Sequence, residues 1–191
     1  MQAYGSVFSK VYNLRWQSFA QQAAACIRAY FETITGLPHT LLDIACGTGQ
    51  LALHFLENGY RVTGIDLSDS MLSFAKENAA IYTETGQAHW VQADAAHFSV
   101  DGRYGLVTST YDALNHLPDL DALAGCFRSV KKVIEPNGVF IFDLNTLAGL
   151  HSGWAVINVV DTEELVLITR GLVDEAHGKA FTNISGCLRA E

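Results

Sequence analysis

A chain of 191 residues, 49% hydrophobic and 17% charged with three prolines, has the composition of one compact domain; a disordered or fibrous protein is excluded, and two independent domains would be a squeeze. A net charge of -8 disfavours nucleic acid as a partner, and the lack of a leader-like apolar stretch in MQAYGSVFSKVYNLRW, or of any later run of spanning length, argues against secretion and membrane insertion. Cys26, Cys46, Cys126 and Cys187 stand far apart, without the paired spacing of metal sites or disulfide scaffolds, and are read as buried thiols of a cytoplasmic protein with no metal.

From Ser18 to Thr35 the apolar residues Phe19, Ala23, Ile27, Tyr30, Phe31 and Ile34 recur at helical spacing until Gly36-Leu37-Pro38, giving an amphipathic helix in an N-terminal cap over residues 1–36. Thr40 to Ala45 is a short apolar strand interrupted by Asp43. Gly47-Thr48-Gly49 turns the chain, and Leu51, Ala52, Phe55 and Leu56 mark a helix ended by Gly59. Arg61 to Asp66 is the next strand, followed by a helix capped by Ser68 with Met71, Leu72 and Ala75 inward. His89 to Gln92 and Gly105 to Ser109 are further strands. Leu120, Leu123, Phe127, Val130 and Ile134 trace a long helix ending at Pro136-Asn137-Gly138, before a fifth strand from Val139 to Leu144.

This alternation predicts an α/β fold with a doubly wound, mainly parallel sheet, whose cofactor-binding core occupies residues 37–149. After Gly149 the texture changes. Val156 to Val160, Leu165 to Leu172 and Phe181 to Leu188 read as strands, with Asp174 to Lys179 as a hairpin loop, so residues 150–191 form a C-terminal antiparallel β extension.

Gly47 and Gly49 fit a tight strand-to-helix turn, and with Ala52 they also fit the G-x-G-x-x-A spacing of nicotinamide cofactor proteins, Asp66 standing where a ribose-binding acid belongs. Spacing leaves both open; charge separates them. Asp43 lies in the first strand, and Asp66, Asp94, Asp112 and Asp143 lie at or just past the ends of the other four. A pyrophosphate would be repelled by five acids on the ligand-binding edge of the sheet. S-adenosylmethionine has no phosphate and sets a sulfonium and an ammonium against one carboxylate, so it suits such a mouth.

On these residues a resemblance can be stated. LDIACGTGQLA is similar to the first motif of class I S-adenosylmethionine-dependent methyltransferases, GIDLSDSML to the second and VQADAAHF to the third. YGLVTSTYDALNHL and IEPNGVFIFDLNT resemble the fourth and fifth, and YDALNHL with FDLNT resembles a subgroup of small bacterial enzymes, the likeness running from Tyr4 to Leu147.

The resemblance implies a Rossmann-like methyltransferase fold and a set of cofactor contacts. Asp43 and the backbone of Ala45, Cys46, Gly47 and Gly49 would hold the methionine end, Asp66 the ribose hydroxyls, Leu67 and Met71 the adenine faces, and Asp94 with the Ala95 amide the adenine edge. N-terminal aromatics close over the cofactor in such enzymes, which makes Tyr4, Tyr12 and Trp16 candidates, although packing of the cap to the core accounts for them equally. The segment TYDALNHL should line the active site, with Tyr111 on cofactor or substrate and Asn115 and His116 as further substrate candidates; no catalytic residue is named.

The expected activity is methyl transfer to an unidentified small-molecule acceptor by in-line displacement, where alignment does most of the work. A non-catalytic module binding S-adenosylmethionine or S-adenosylhomocysteine is the alternative, and a nicotinamide-dependent oxidoreductase is a more distant one. Members of the subgroup continue past the β extension with a helix and two edge strands, whereas this chain stops at Glu191, so a truncated or a reused tail is expected, with homodimerisation through the C-terminal β region.

Overall fold

Short apolar runs alternating with amphipathic stretches become a five-stranded parallel sheet in the computed structural model, which describes residues 4–189. Two compact units divide after Leu144. In the first, α1 (Ser6–Arg15) and α2 (Gln17–Phe31) precede β1 (Thr40–Ile44), α3 (Gln50–Glu57), β2 (Arg61–Asp66), α4 (Asp69–Asn78), α5 (Ala80–Glu84) and β3 (Ala88–Gln92). Then come β4 (Tyr104–Ser109), a 3-10 turn over Ala113–His116, α6 (Leu120–Val133) and β5 (Ile134–Phe142). The strand order is β3-β2-β1-β4-β5, with every neighbouring pair parallel. The winding reverses between β1 and β4, and that switch point opens a crevice at the carboxyl ends of the strands.

All five residues of β1 are buried, as a central parallel strand covered on both faces requires. Alternation sends neighbours to opposite sides. Leu41 and Leu106 join Phe31, Phe55, Leu56 and Tyr60 in one core cluster. Leu42 and Val107 join Ile44, Ile65, Cys126 and Val130 in another. Polar residues set the helix starts: Ser68 Oγ accepts from the Met71 amide, and the Asp119 carboxylate accepts from the Ala122 amide.

Several elements depart from the sequence expectation. The N-terminal cap holds two helices, since α1 precedes the single one expected; its inward residues cover a site and few of them enter the core, Ser9 and Val11 being buried. α5 buries no residue, so no periodicity announces it. The long helix stops at Val133 and β5 begins at once, because Pro136-Asn137-Gly138 makes a bulge, Tyr104 pairing with Ile134 but Leu106 with Val139. Cys26 and Cys187 are exposed, not buried; Cys26 sits on the outer face of α2 and Cys187 on a largely exposed strand.

The second unit begins with α7 (Leu147–Gly153), also unexpected and likewise without a buried residue. β6 (Ile157–Asp161), β7 (Leu165–Asp174) and β8 (Lys179–Leu188) follow as an antiparallel sheet in the order β6-β7-β8. Asp174 pairs with Lys179 across the expected hairpin loop. Among the described residues no helix is long and apolar enough to cross a membrane.

Candidate active site

Asp43, Asp66, Asp94, Asp112 and Asp143 all lie at or just beyond the carboxyl ends of the five parallel strands, so the sheet brings the predicted acids to one edge. Their carboxylates also hold the loops. Asp66 accepts from the Gly47 amide at 2.9 Å and the Ser68 amide at 2.8 Å, Asp94 from the Ala96 amide at 2.8 Å, and Asp143 from the Tyr111 and Asp112 amides at 3.1 and 3.0 Å. Each carboxylate oxygen has a second lone pair, so these two bonds do not exhaust Asp66 as an acceptor.

Asp43 is 2% exposed and accepts from the Thr108 hydroxyl at 2.8 Å. Burial pushes its carboxyl up to about 7, against the pull of that hydrogen bond and with a smaller push from Asp66. The negative mouth expected from five acids is therefore softened. Asp43 carries only part of its charge at neutral pH, and three of its fellows are bonded to backbone amides. Burial also raises Asp66, while the amides of Ser68, Gly47 and Leu67 lower it.

The chain from Ala45 to Gly49 turns sharply to reach α3. Ala45, Gly47 and Gly49 have φ of 55°, 55° and 76°, a region where glycine is at ease and alanine is strained. A Cβ on Gly47 would sit 3.5 Å from the Tyr12 ring, so α1 lies directly over the turn. Cys46 is part of that turn, and burial among Asp43 and Asp66 pushes its thiol up, which keeps it protonated.

An aromatic file runs along this helix. Tyr4 and Phe8 have ring centroids 4.9 Å apart, Phe8 and Tyr12 6.1 Å, and Tyr12 and Trp16 5.4 Å. Tyr111 meets Tyr12 edge-on at 6.2 Å and Phe19 at 4.7 Å. Polar bonds fasten the file: Asn13 Oδ1 accepts from Gln50 at 3.1 Å and Asn78 at 2.8 Å, Asn78 also donates to the Thr48 carbonyl, and Ser68 Oγ donates to the Tyr4 carbonyl.

Beneath the rings a cavity of about 30 Å³ remains, lined by residues that include Tyr12, Trp16, Asp43, Ala45, Cys46, Thr48 and Tyr111. That is room for little more than water. None of the lining residues carries a positive charge. Thr48 Oγ1 is buried with no hydrogen-bond partner.

The predicted residues divide accordingly. Asp43, Ala45, Cys46, Tyr12, Trp16 and Tyr111 line one cavity, whereas Gly47, Gly49 and Asp66 do not line it, Gly47 being bonded to Asp66 in the adjoining turn. Leu67 is 62% exposed at the end of β2, Met71 is buried in the first turn of α4, and Asp94 and Ala95 stand farther along the same edge. Asn115 and His116 are exposed on the 3-10 turn, the His116 ring meeting Tyr4 at 6.3 Å, and neither lines the cavity. Phe8, Asn13, Phe19, the Thr48 side chain and Gln50 were not foreseen. The spacing of Tyr4, Phe8, Tyr12 and Trp16, four residues apart each time, carries the signal for the first of these.

A family model described as a methyltransferase domain matches residues 41–138. The Bacillus subtilis (strain 168) protein YqeM is 36% identical over 107 residues, covering 56% of this chain and 42% of its own length. Glycine N-methyltransferase of Rattus norvegicus is 27% identical over 145 residues, covering 67% of this chain and 49% of its own. The chain thus spans about half the length of the curated relatives it matches. Among solved structures, S-adenosylmethionine-bound CalS10, an amino pentose methyltransferase from Micromonospora echinaspora, superposes with a TM-score of 0.68 at 20% identity, covering 98% of this chain and 84% of that one.

Proposed function

The chain belongs to the methyltransferase-domain family, and on that premise we propose that it binds S-adenosylmethionine at the cavity under α1, which widens as that helix lifts to admit it, and transfers its methyl group to a small-molecule acceptor. One observation carries the choice of cofactor: a buried carboxylate, Asp43, and an unpartnered hydroxyl, Thr48, share a cavity with Tyr12, Trp16 and Tyr111 and with no cationic residue. Aromatic faces and a carboxylate favour a sulfonium and an ammonium. A pyrophosphate would find no positive partner there.

In this reading Asp43 and Thr48 take the ammonium, and the backbone from Ala45 to Gly49 takes the rest of the methionine end. Asp66 accepts the ribose hydroxyls through the lone pairs its amide bonds leave free. Leu67 and Met71 flank the adenine, and Asp94 with the Ala95 amide reads its edge. The rings of Tyr12, Trp16 and Tyr111 exclude water and align the acceptor. The cofactor supplies an already activated methyl group, so alignment of the nucleophile is worth on the order of 7–11 kcal/mol and no strong base is required of the protein. The name of the rat relative, glycine N-methyltransferase, suggests amines as the first acceptors to try.

Titration calorimetry with S-adenosylhomocysteine and with NADH tests the cofactor. Heat with S-adenosylhomocysteine alone is expected; heat with NADH alone overturns the reading. Methyl transfer to a panel of amines, phenols and acids then separates an enzyme from a module that only binds the cofactor.

We further propose that the three-stranded sheet pairs with a second copy in the cytoplasm. Ile157, Val159 and Ile168 are exposed, and Val159 faces Ile168 across β6 and β7, which supports an apolar contact. Sedimentation should give a dimer, and a monomer at high concentration counts against it.

A further inference from the structure

We propose that Asp143 is a positioning residue, which sets the Tyr111 ring at the cavity by holding the backbone of Tyr111 and Asp112 in the left-handed region. The inference rests on the reading of that cavity as the S-adenosylmethionine site. Tyr111 and Asp112 have φ of 66° and 50°, and neither is glycine. Two successive residues in this region are strained by the approach of Cβ to the following carbonyl oxygen, and they persist only where something external holds them.

What holds them is a carboxylate from another strand. Asp143 follows β5, its own amide donates to the Ser109 carbonyl at 3.3 Å, and its two oxygens separately accept the amides of Tyr111 and Asp112. Successive amides turned to one side form a concavity for an anion, and here the protein's own side chain fills it. The turn that results aims Tyr111 at Tyr12 and Phe19 and makes it part of the cavity wall. Asp112 then leads into the 3-10 turn, its carbonyl accepting from the Asn115 amide at 2.9 Å. Asp143 itself does not line the cavity, so it acts through Tyr111.

Asp143→Ala should release both amides. In the ligand-free protein, hydrogen exchange at Tyr111 and Asp112 should quicken selectively, and S-adenosylhomocysteine should bind about tenfold more weakly, a fraction of what two bonds to a charged acceptor are worth, because the loss reaches the ligand only through Tyr111. Asp143→Asn, which keeps one acceptor oxygen, should expose fewer of these amides and gives the same reading if the alanine variant does not fold. Asp112→Gly supplies the decisive comparison, because glycine takes this conformation without strain. Adding it to Asp143→Ala should recover most of the lost affinity, whereas a merely structural lesion would persist. Unchanged exchange at the two amides overturns the inference whether or not the protein binds S-adenosylhomocysteine. So does a binding loss in Asp143→Ala that Asp112→Gly leaves untouched. Failure of the wild-type chain to bind, with exchange behaving as expected, counts against the cofactor reading alone.

Discussion

Thr108 stands beside Asp43 in register on the neighbouring strand and donates its hydroxyl proton to that carboxylate at 2.8 Å. The pair sits at the sheet's switch point, where a buried acid faces the cavity. On the proposed reading of that cavity, its protonation couples fold stability to ligand binding.

The coupling has a definite sign. Asp43 titrates at about 7 when folded, above its ordinary 3.8. Between about pH 4 and that value the folded protein keeps a proton the unfolded chain has lost, so stability falls as pH rises through the window and stays low above it. Asp43→Asn should flatten this fall and raise the melting temperature at pH 8 by a few degrees. A bound cation favours the ionised carboxylate, so the affinity of the wild-type protein for S-adenosylmethionine should rise about tenfold from pH 6 to pH 8. The asparagine variant should bind weakly and with little pH dependence. Melting curves and calorimetry across pH check both halves.

Thr108→Val removes the hydroxyl that keeps Asp43 from rising further. The Asp43 midpoint, followed by NMR of its carboxyl carbon, should move upward. Stability at pH 8 should drop by about 1–3 kcal/mol, and by much less at pH 5, where the group is neutral in either protein. An equal loss at both values would mean that the hydroxyl acts through packing alone.

Gly64, on β2, has no room for a side chain. A Cβ there would meet Trp90 carbons at 2.5 and 2.6 Å and Cys46 Sγ at 2.9 Å, beneath the glycine turn. Gly64→Ala should cost about 1–3 kcal/mol by displacing the indole and the bond from its Nε1 to Thr83. Chemical denaturation measures the loss. Trp90→Phe in the same chain should recover part of it, since the smaller ring frees the space.

Asn13→Ala should loosen α1 without touching the aromatic file. It removes the acceptor shared by Gln50 and Asn78, worth about 1–2 kcal/mol of docking. S-adenosylhomocysteine should then both associate and dissociate faster in stopped-flow tryptophan fluorescence. Unaltered rates would locate the rate-limiting motion elsewhere.

β1 and β4 were legible from their apolar centres, Leu41-Leu42 and Leu106-Val107, as strands buried on both faces require, and β2 (RVTGID), which is buried but half polar, from the turn residues on either side of it. α1 escaped notice for a physical reason. Its aromatics recur every fourth residue, but they face the cavity, and only Ser9 and Val11 of the helix are buried, so it lacks the buried stripe of a core helix. The bulge at Pro136-Asn137-Gly138 looked like a helix end because those residues stop a helix and kink a strand equally well. The acids of the site were readable one by one from the strand ends. Their bonding was not: Asp143 lies more than thirty residues from the amides it holds, and only the pairing of β4 with β5 brings them together. Nor does the sequence tell how far burial neutralises Asp43.

The bonds from Asp66, Asp94 and Asp143 to loop amides mean that the rim of the cleft is already organised before any ligand comes. A guest has no floppy loops to order there, so little of its binding energy is lost to entropy at the sheet. What stands in its way is the row of rings above. On the proposed reading the strand ends, with Tyr12 and Trp16 above them, set how tightly a guest is held, and the docking of the first helix sets how fast it comes and goes.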